Sequence, residues 1–393
     1  MVLLIDSLTN FYNPFLMDKM ILVVPFKLNK KEGFMRNFMR VLSVIFLVTF
    51  LSGTAWAKTY HWKMVTTWPT GIPWHQAVLH FADTVSKLSN GQLKIKVYPA
   101  GSIVPAFQVF DAVRNGVAEI GHDWPGYWKG KNQAFVAFAS VPFGMNNVEY
   151  SIWLMFGGGM KLAKELYGKY GLVPLMGGNS GQEMGFFTKK PITEVSQLKG
   201  MKVRTVGWAA DILKNMGVSV TPLPGGEIYL AFERGVLDSA EFSTPYITFP
   251  MGFQDIAKNV MVPGWHQTAV QLMFEVNKKA YDKLPDHLKY VLEIASRELQ
   301  LWDLTRSEYN NALAIEKYEK QGVKFNKLSD KSLNELRKTT KQYLDTLRKK
   351  NPFLDKVLTS QENFIKHYSK WKDLRSGVSA YPYEDYIAGK HYE

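Results

Sequence analysis

From Asp286 to Gln321 the chain contains neither proline nor glycine, and apolar residues recur at helical spacing through Leu288, Leu292, Ala295, Leu299 and Trp302. A continuous helix here would be roughly 50 Å long at 1.5 Å per residue, longer than one lobe is wide. It predicts a helix that runs along two lobes. The 393 residues of the chain point the same way, being enough for two domains with a sizeable core.

Upstream, strand and helix patterns alternate. His61 to Thr66 reads as a strand ending in the turn cluster Thr67 to Gly71. Residues 76–89 place Val78, Phe81, Ala82, Val85 and Leu88 on one helical face, and Leu93 to Tyr98 alternates as a half-buried strand. A helix from about Ala106 to Asn115, closed by Gly116, leads into a strand at Val117 to Ile120. The order recurs with Lys202 to Thr205 as strand, Ala209 to Met216 and Ile228 to Arg234 as helices, and Val236 to Phe242 as strand. Such alternation predicts an α/β fold with a largely parallel sheet. Asp111 to Glu119 and Leu230 to Asp238 share one pattern: a helix end, a glycine suited to the left-handed position, Val, an apolar residue and an acid. We read it as one unit used once in each of two similar lobes. Ser329 is placed to cap a helix ended by Asn351 and Pro352, and a last helix carries Phe364, Tyr368 and Trp371 before an aromatic tail.

The N-terminal part reads as an address label. Arg36 and Arg40 precede an apolar run, Val41 to Leu51, and Ala55-Trp56-Ala57 forms an Ala-x-Ala cleavage site. The run is shorter than the ~20 residues that span a bilayer, so a signal peptide over 35–57 is expected, with cleavage after Ala57 and export to the periplasm. Residues 1–34 read as an over-extended start. The chain has no cysteine, which excludes thiol nucleophiles, cysteine-held iron–sulfur clusters and Cys-type zinc sites. Its formal charge is +13, and residues 1–57 hold six basic and three acidic residues, so the positive sign survives processing. Lys and Arg are scattered among acids rather than massed in one stripe, so nucleic acid is not the expected partner.

No catalytic signature stands up: H-E-x-x-H, G-x-S-x-G and the phosphate-loop pattern are all missing. Gly157 to Lys161 reads as a loop before a helix. His122 and His266 read as lone histidines with no second ligand at metal spacing. What remains is a set of polar residues among aromatics and glycines. These are Tyr127-Trp128, Gln182-Glu183 before Phe186-Phe187, Arg204 ending a strand, Glu241-Phe242 ending another, and Trp265-His266-Gln267. Arginine, carboxylate and amide at strand ends, walled by rings, suit a small anionic ligand in a crevice between lobes.

These residues also carry a resemblance. Gly126 to Lys131, Val141 to Gly144, Gly178 to Gly181, Leu198 to Arg204, Gly225 to Tyr229, Leu237 to Glu241 and Pro263 to Trp265 follow in the order seen in the periplasmic solute-binding subunits of tripartite ATP-independent periplasmic (TRAP) transporters. The chain most resembles the branch that binds 2-oxo and 2-hydroxy monocarboxylates. The resemblance implies a two-lobed periplasmic binding protein fold with a long helix spanning both lobes, and no chemistry. A small organic acid would be captured and delivered to membrane permease subunits. Arg204 would pair with the substrate carboxylate, with Tyr127, Trp128 and Glu183 as further substrate contacts. A cation, Na⁺ or Ca²⁺, would be held by Glu183, Glu241, the Phe242 carbonyl and Gln267, with Gln182 in place of Glu183 if the match slips by one residue. The lobes would comprise 58–181 with about 270–310, and 182–269 with about 311–350, followed by a C-terminal helix and tail over 351–393. In some family members that last helix pairs two copies into a homodimer, although amphipathic spacing fits packing within one chain equally well.

Overall fold

A computed structural model describes residues 58–375. The expected signal peptide, the stretch before it and the aromatic tail beyond Arg375 lie outside the described residues. In chain order the strands are β1 (Tyr60–Thr66), β2 (Leu93–Tyr98), β3 (Ile120–Asp123), β4 (Leu172–Asn179), β5 (Phe186–Thr188), β6 (Lys202–Arg204), β7 (Ser219–Val220), β8 (Ser239–Ala240), β9 (Asn259–Val262), β10 (Gln271–Asn277) and β11 (Lys324–Lys327).

They form two sheets of like design. One has the order β2-β1-β3-β10-β4 and the other β7-β6-β8-β5-β9-β11. In each, three parallel strands come first, then one antiparallel strand (β10 or β5), then a strand antiparallel to that one (β4 or β9). The short helix Val109–Arg114 and its counterpart Gly225–Glu233 lead into β3 and β8, so the repeated helix-end pattern falls at equivalent places. Against the sequence pattern, β3 begins three residues later and β8 is cut to two residues. Val117 and Val236 follow left-handed glycines and are 42% and 56% exposed, so pairing starts only at Ile120 and Ser239. Leu88, read as core, is 51% exposed at the end of the helix Pro73–Leu88.

The chain passes between the sheets after β4 and again after β9, and the helix Asp286–Lys320 spans both. Its first half buries Leu288, Leu292, Ala295 and Leu299 in the core that also holds Phe81 and Phe274. Its last turns bury Ala314 and Tyr318 beside Phe187 and Phe253. Between them the buried face turns polar: Ser296, Gln300, Asp303, Ser307 and Asn311. The crossing segments leave backbone groups without strand partners, and buried groups of that kind need hydrogen bonds. The helix supplies them. Gly178 N–H donates to Gln300 Oε1 (3.2 Å), while Ser296 Oγ donates to the Met176 carbonyl (2.8 Å) and Asn311 Nδ2 to that of Ser180 (3.2 Å).

Ser329 caps the helix Asp330–Lys350 by accepting from Ser332 N–H. The last helix, Pro352–Arg375, folds back on its own chain, burying Leu354, Val357 and Leu358 and donating from Gln361 Nε2 to the Ala137 carbonyl (2.7 Å). Among the described residues no helix is long and apolar enough to cross a membrane.

Candidate functional site

β6 ends in Arg204, paired in parallel register with Ala240, so Arg204 and Glu241 leave the sheet side by side. The arginine is fully buried. Its Nε donates to the Leu223 carbonyl (3.0 Å) and its Nη1 to the Glu241 carbonyl (2.8 Å), with Glu241 Oε2 at 3.1 Å. The outer nitrogen Nη2 has no partner. A buried charge costs several kcal/mol unless it is paired and its hydrogens are used, so the unpartnered Nη2 is chemically suited to an anionic acceptor. The Phe242 ring lies 5.5 Å from the guanidinium, fixing its plane from one side.

A second segment brings Glu183 to the same place. Glu183 N–H donates to the Gln267 carbonyl (3.0 Å). A Cβ on Gly264 would stand 2.1 Å from the Glu183 carbonyl oxygen, so only glycine lets these two segments lie so close. Of the two neighbours, Glu183 is buried in this contact while Gln182 is exposed. Glu183 Oε2 and His266 Nε2 are 2.7 Å apart. One donor atom each from Glu183, Glu241 and His266 lie within 4.8 Å of one another, all buried. Glu183 Oε1, Glu241 Oε1, His266 Nδ1 and Gln267 Oε1 have no hydrogen-bond partner.

Electrostatics follow from this crowding. Burial pushes the Glu183 carboxyl up to about 8 against the pull of Arg204, and the Glu241 carboxyl up to about 7, with Arg204 lowering it and Glu183 raising it. Burial pushes His266 down to about 4, so the imidazole is neutral at pH 7. Two buried acids that a single arginine offsets only in part, beside an amide oxygen with no donor, fit a cation.

Tyr127 faces the cluster. Burial raises its hydroxyl above its ordinary range, with Arg204 lowering it and Glu241 and Glu183 raising it. Trp128 does not join the cluster. Its indole N–H donates to Asp123 Oδ2 (2.9 Å), and its ring packs in the core with Phe110. Around Tyr127 stand Trp68, Trp124 and Phe107, and Trp74 packs on both Trp68 and Phe242. The two halves meet here, Lys129 Nζ donating to Asp211 (2.7 Å) and to the Gly207 carbonyl (3.0 Å).

The reading of lone histidines divides. His122 accepts from Trp68 Nε1 at Nδ1 (2.7 Å) and therefore donates from Nε2 to the Gly177 carbonyl (2.7 Å), a neutral tautomer with both nitrogens used. His266 instead holds Glu183 Oε2 at 2.7 Å and has a Glu241 carboxylate oxygen within 4.8 Å. The sequence does not reveal this, because its partners come from segments 83 and 25 residues away. A cavity of about 580 Å³ lies elsewhere, between the loop Val141–Met145 and the two C-terminal helices, and none of the cluster residues lines it. Converging ionisable donors, not cavity size, locate the site.

The model of the DctP family, bacterial extracellular solute-binding protein family 7, matches residues 64–351. A monocarboxylate 2-oxoacid-binding periplasmic protein of Nostoc sp. is 32% identical over 320 residues, 81% of this chain and 85% of that protein. Two solved structures of TRAP periplasmic solute-binding proteins are each 32% identical. That from Colwellia psychrerythraea, with bound calcium and pyruvate, has a TM-score of 0.78 and covers 82% of this chain and 98% of its own. That from Pseudoalteromonas atlantica, with bound sodium and pyruvate, has a TM-score of 0.77 and covers 86% and 100%. The chain thus belongs to family 7 of the bacterial extracellular solute-binding proteins, two-lobed α/β receptors of TRAP transporters that bind solutes and do not convert them.

Proposed function

We propose that this chain is the periplasmic receptor of a TRAP transporter and captures a small 2-oxo or 2-hydroxy monocarboxylate between its lobes for delivery to membrane permease subunits. The observation that carries the reading is Arg204, a fully buried guanidinium with an unused Nη2 beside a cation-suited acid cluster. Its planar fork suits a carboxylate in a way that a lysine would not. In this reading Tyr127 and Glu183 contact the ligand as well, and Trp128 acts by packing behind Tyr127, their ring centres 6.2 Å apart.

Glu183, Glu241, the Phe242 carbonyl and Gln267 would hold the cation. The Colwellia and Pseudoalteromonas proteins, with calcium or sodium beside pyruvate, support this assignment. When bound, the ion supplies positive charge for a ligand oxygen. The chain's own part is to hold Arg204 and Glu241 on adjacent strands and to lock Glu183 against residues 264–267. Residues 58–181 with about 270–310, and 182–269 with about 311–350, are the two lobes in this account, and residues 35–57 are the export signal.

A thermal-shift panel of organic acids, followed by recovery of each acid, tests the reading. Pyruvate and short 2-oxo or 2-hydroxy acids are expected to raise the melting temperature most and to come back unchanged. A response confined to sugars or dicarboxylates, or conversion of any acid, would contradict it.

A further inference from the structure

We propose that Lys129 and Asp211 form a clasp that holds the crevice closed over its ligand, with Lys129 acting as a positioning residue for Tyr127. The inference rests on the reading of Tyr127 and Arg204 as ligand contacts and extends it to residues that touch no ligand.

Placement in the chain comes first. Lys129 follows Tyr127 by two residues in the short helical segment Pro125–Gly130, and Gly207 follows Arg204 by three at the start of the helix Gly207–Asn215. Lys129 Nζ donates to both carboxylate oxygens of Asp211 (2.7 Å each) and to the Gly207 carbonyl (3.0 Å), three acceptors for the three hydrogens of an ammonium. One side chain thus joins the segment that carries the crevice tyrosine to the segment that carries the crevice arginine. Asp211 Oδ2 also accepts from the Tyr343 hydroxyl (2.6 Å), which holds the carboxylate in place from the helix Asp330–Lys350. Beside the clasp the Trp208 indole N–H donates to Gln133 Oε1 (2.9 Å). The Trp124 ring, 5.4 Å from that of Tyr127, lies so close to the second segment that a Cβ on Gly207 would stand 2.7 Å from it. A side chain at 207 would push the two segments apart.

Two features set this pair apart from the static frame. Lys131 Nζ makes a pair of the same length with Asp111 (2.7 Å), but Asp111 lies in the helix Val109–Arg114 of the same half, so that pair is indifferent to how the halves meet. Lys129 and Asp211 bridge the halves, and their side chains are 25% and 26% exposed. Water is therefore at hand for both ions when they part, and the pair can break and re-form at far lower cost than a fully buried one. Apparent affinity scales with the population of the binding-competent state, so a clasp that favours the joined state slows ligand release without touching the ligand.

The test uses the full chain with Ca²⁺ present and pyruvate as the probe, reading affinity by calorimetry and release by stopped-flow tryptophan fluorescence. Lys129→Met is expected to weaken pyruvate binding about 5- to 10-fold, nearly all of it as faster release, with the association rate within about 2-fold of wild type. In a Tyr127→Phe background the same substitution should cost less than about 2-fold, because the hydroxyl it positions is gone; a mere loss of stability would not produce that dependence. Lys131→Met, which removes the pair within one half, should leave release within about 2-fold. Should Lys129→Met fold poorly, Asp211→Asn removes the charge from the other side, and faster release is expected again. Unchanged release in both variants, an equal change in Lys131→Met, or a full loss retained on top of Tyr127→Phe overturns the clasp and leaves the carboxylate-receptor reading standing. A wild-type chain that binds neither pyruvate nor lactate overturns that reading and the clasp with it.

Discussion

Two buried acid pairs, both among the described residues, stand in different surroundings. Glu183 and Glu241 lie beside Arg204 and His266 where the two halves meet. Asp123 and Glu275 lie across β3 and β10 in the core of the first sheet, where Gly121 leaves room for the Glu275 carboxyl. Burial raises all four. Asp123 is pushed up to about 7 and Glu275 well above its ordinary value by burial and by Asp123. The core pair, however, takes a hydrogen bond from the neutral Trp128 indole, with the buried Tyr167 hydroxyl nearby and the neutral His122 next in chain. It can stay buried only by keeping protons between its carboxyls. The crevice pair has the Arg204 guanidinium at its edge, and in the proposed function its protons give way to a metal while the remaining arginine donor takes the ligand. A buried acid pair alone is therefore no mark of a site; the neighbouring charge and the unused donors are.

The largest expected effect comes from Arg204→Lys. Removing one side of a buried charge-assisted pair costs roughly 2–5 kcal/mol, about 30- to 4,000-fold in affinity. Calorimetry should show pyruvate binding reduced by that factor. An unchanged affinity would leave the two acid pairs functionally alike.

Glu241→Gln and Glu275→Gln then set the pairs against each other. Glu241→Gln removes a full charge from the cation site and should weaken ion-dependent pyruvate binding by at least ~10-fold, a loss of about 1.4 kcal/mol or more. Glu275→Gln keeps the shape of a protonated carboxyl, and its pyruvate affinity should stay within about 3-fold of wild type. Equal losses in both would break the comparison.

Stability against pH separates them further. A carboxyl raised in the folded state holds a proton that the unfolded chain releases above about pH 4, so stability falls as pH rises toward the folded value. Each held proton contributes a slope of about 1.4 kcal/mol per pH unit. Denaturant titrations of the stripped protein between pH 4 and 7 should show stability falling. Glu275→Gln should remove the share of the core pair. Saturating cation should remove the share of the crevice pair only. A cation effect that vanishes in Glu275→Gln would assign the wrong pair.

The smallest effect is expected at Ser329→Ala, which deletes the cap on Ser332 N–H and a hydrogen bond to Glu194. Denaturant titration should show about 1 kcal/mol less unfolding free energy, with ligand affinity untouched.

The fold was legible where local chemistry decides it. The uninterrupted Asp286 to Gln321 stretch forms a single helix, Asp286–Lys320, and Ser329 caps the next one, Asp330–Lys350. Strand limits were not, because β8 is only Ser239–Ala240 and its length depends on what pairs with it. β10 is buried along its whole length between β3 and β4, so it shows no alternation to read. In the candidate site, Arg204 and Glu241 were marked by their places at strand ends. His266 was not, since what makes it more than a core histidine is Glu183 and Glu241, which only the fold brings near. Trp128 was placed by its neighbour Tyr127, but the buried Asp123 takes its donor.

In the proposed function the crevice pair, unlike the core pair, trades its protons for a cation that helps hold the ligand. The most direct measurement is a pyruvate titration of the wild-type chain before chelation, after exhaustive chelation and desalting, and after a cation is restored. Pyruvate affinity should fall by at least ~10-fold on stripping and return with the ion. Stripped protein that binds pyruvate as tightly as untreated protein would reduce the site to an arginine clamp flanked by two idle acids.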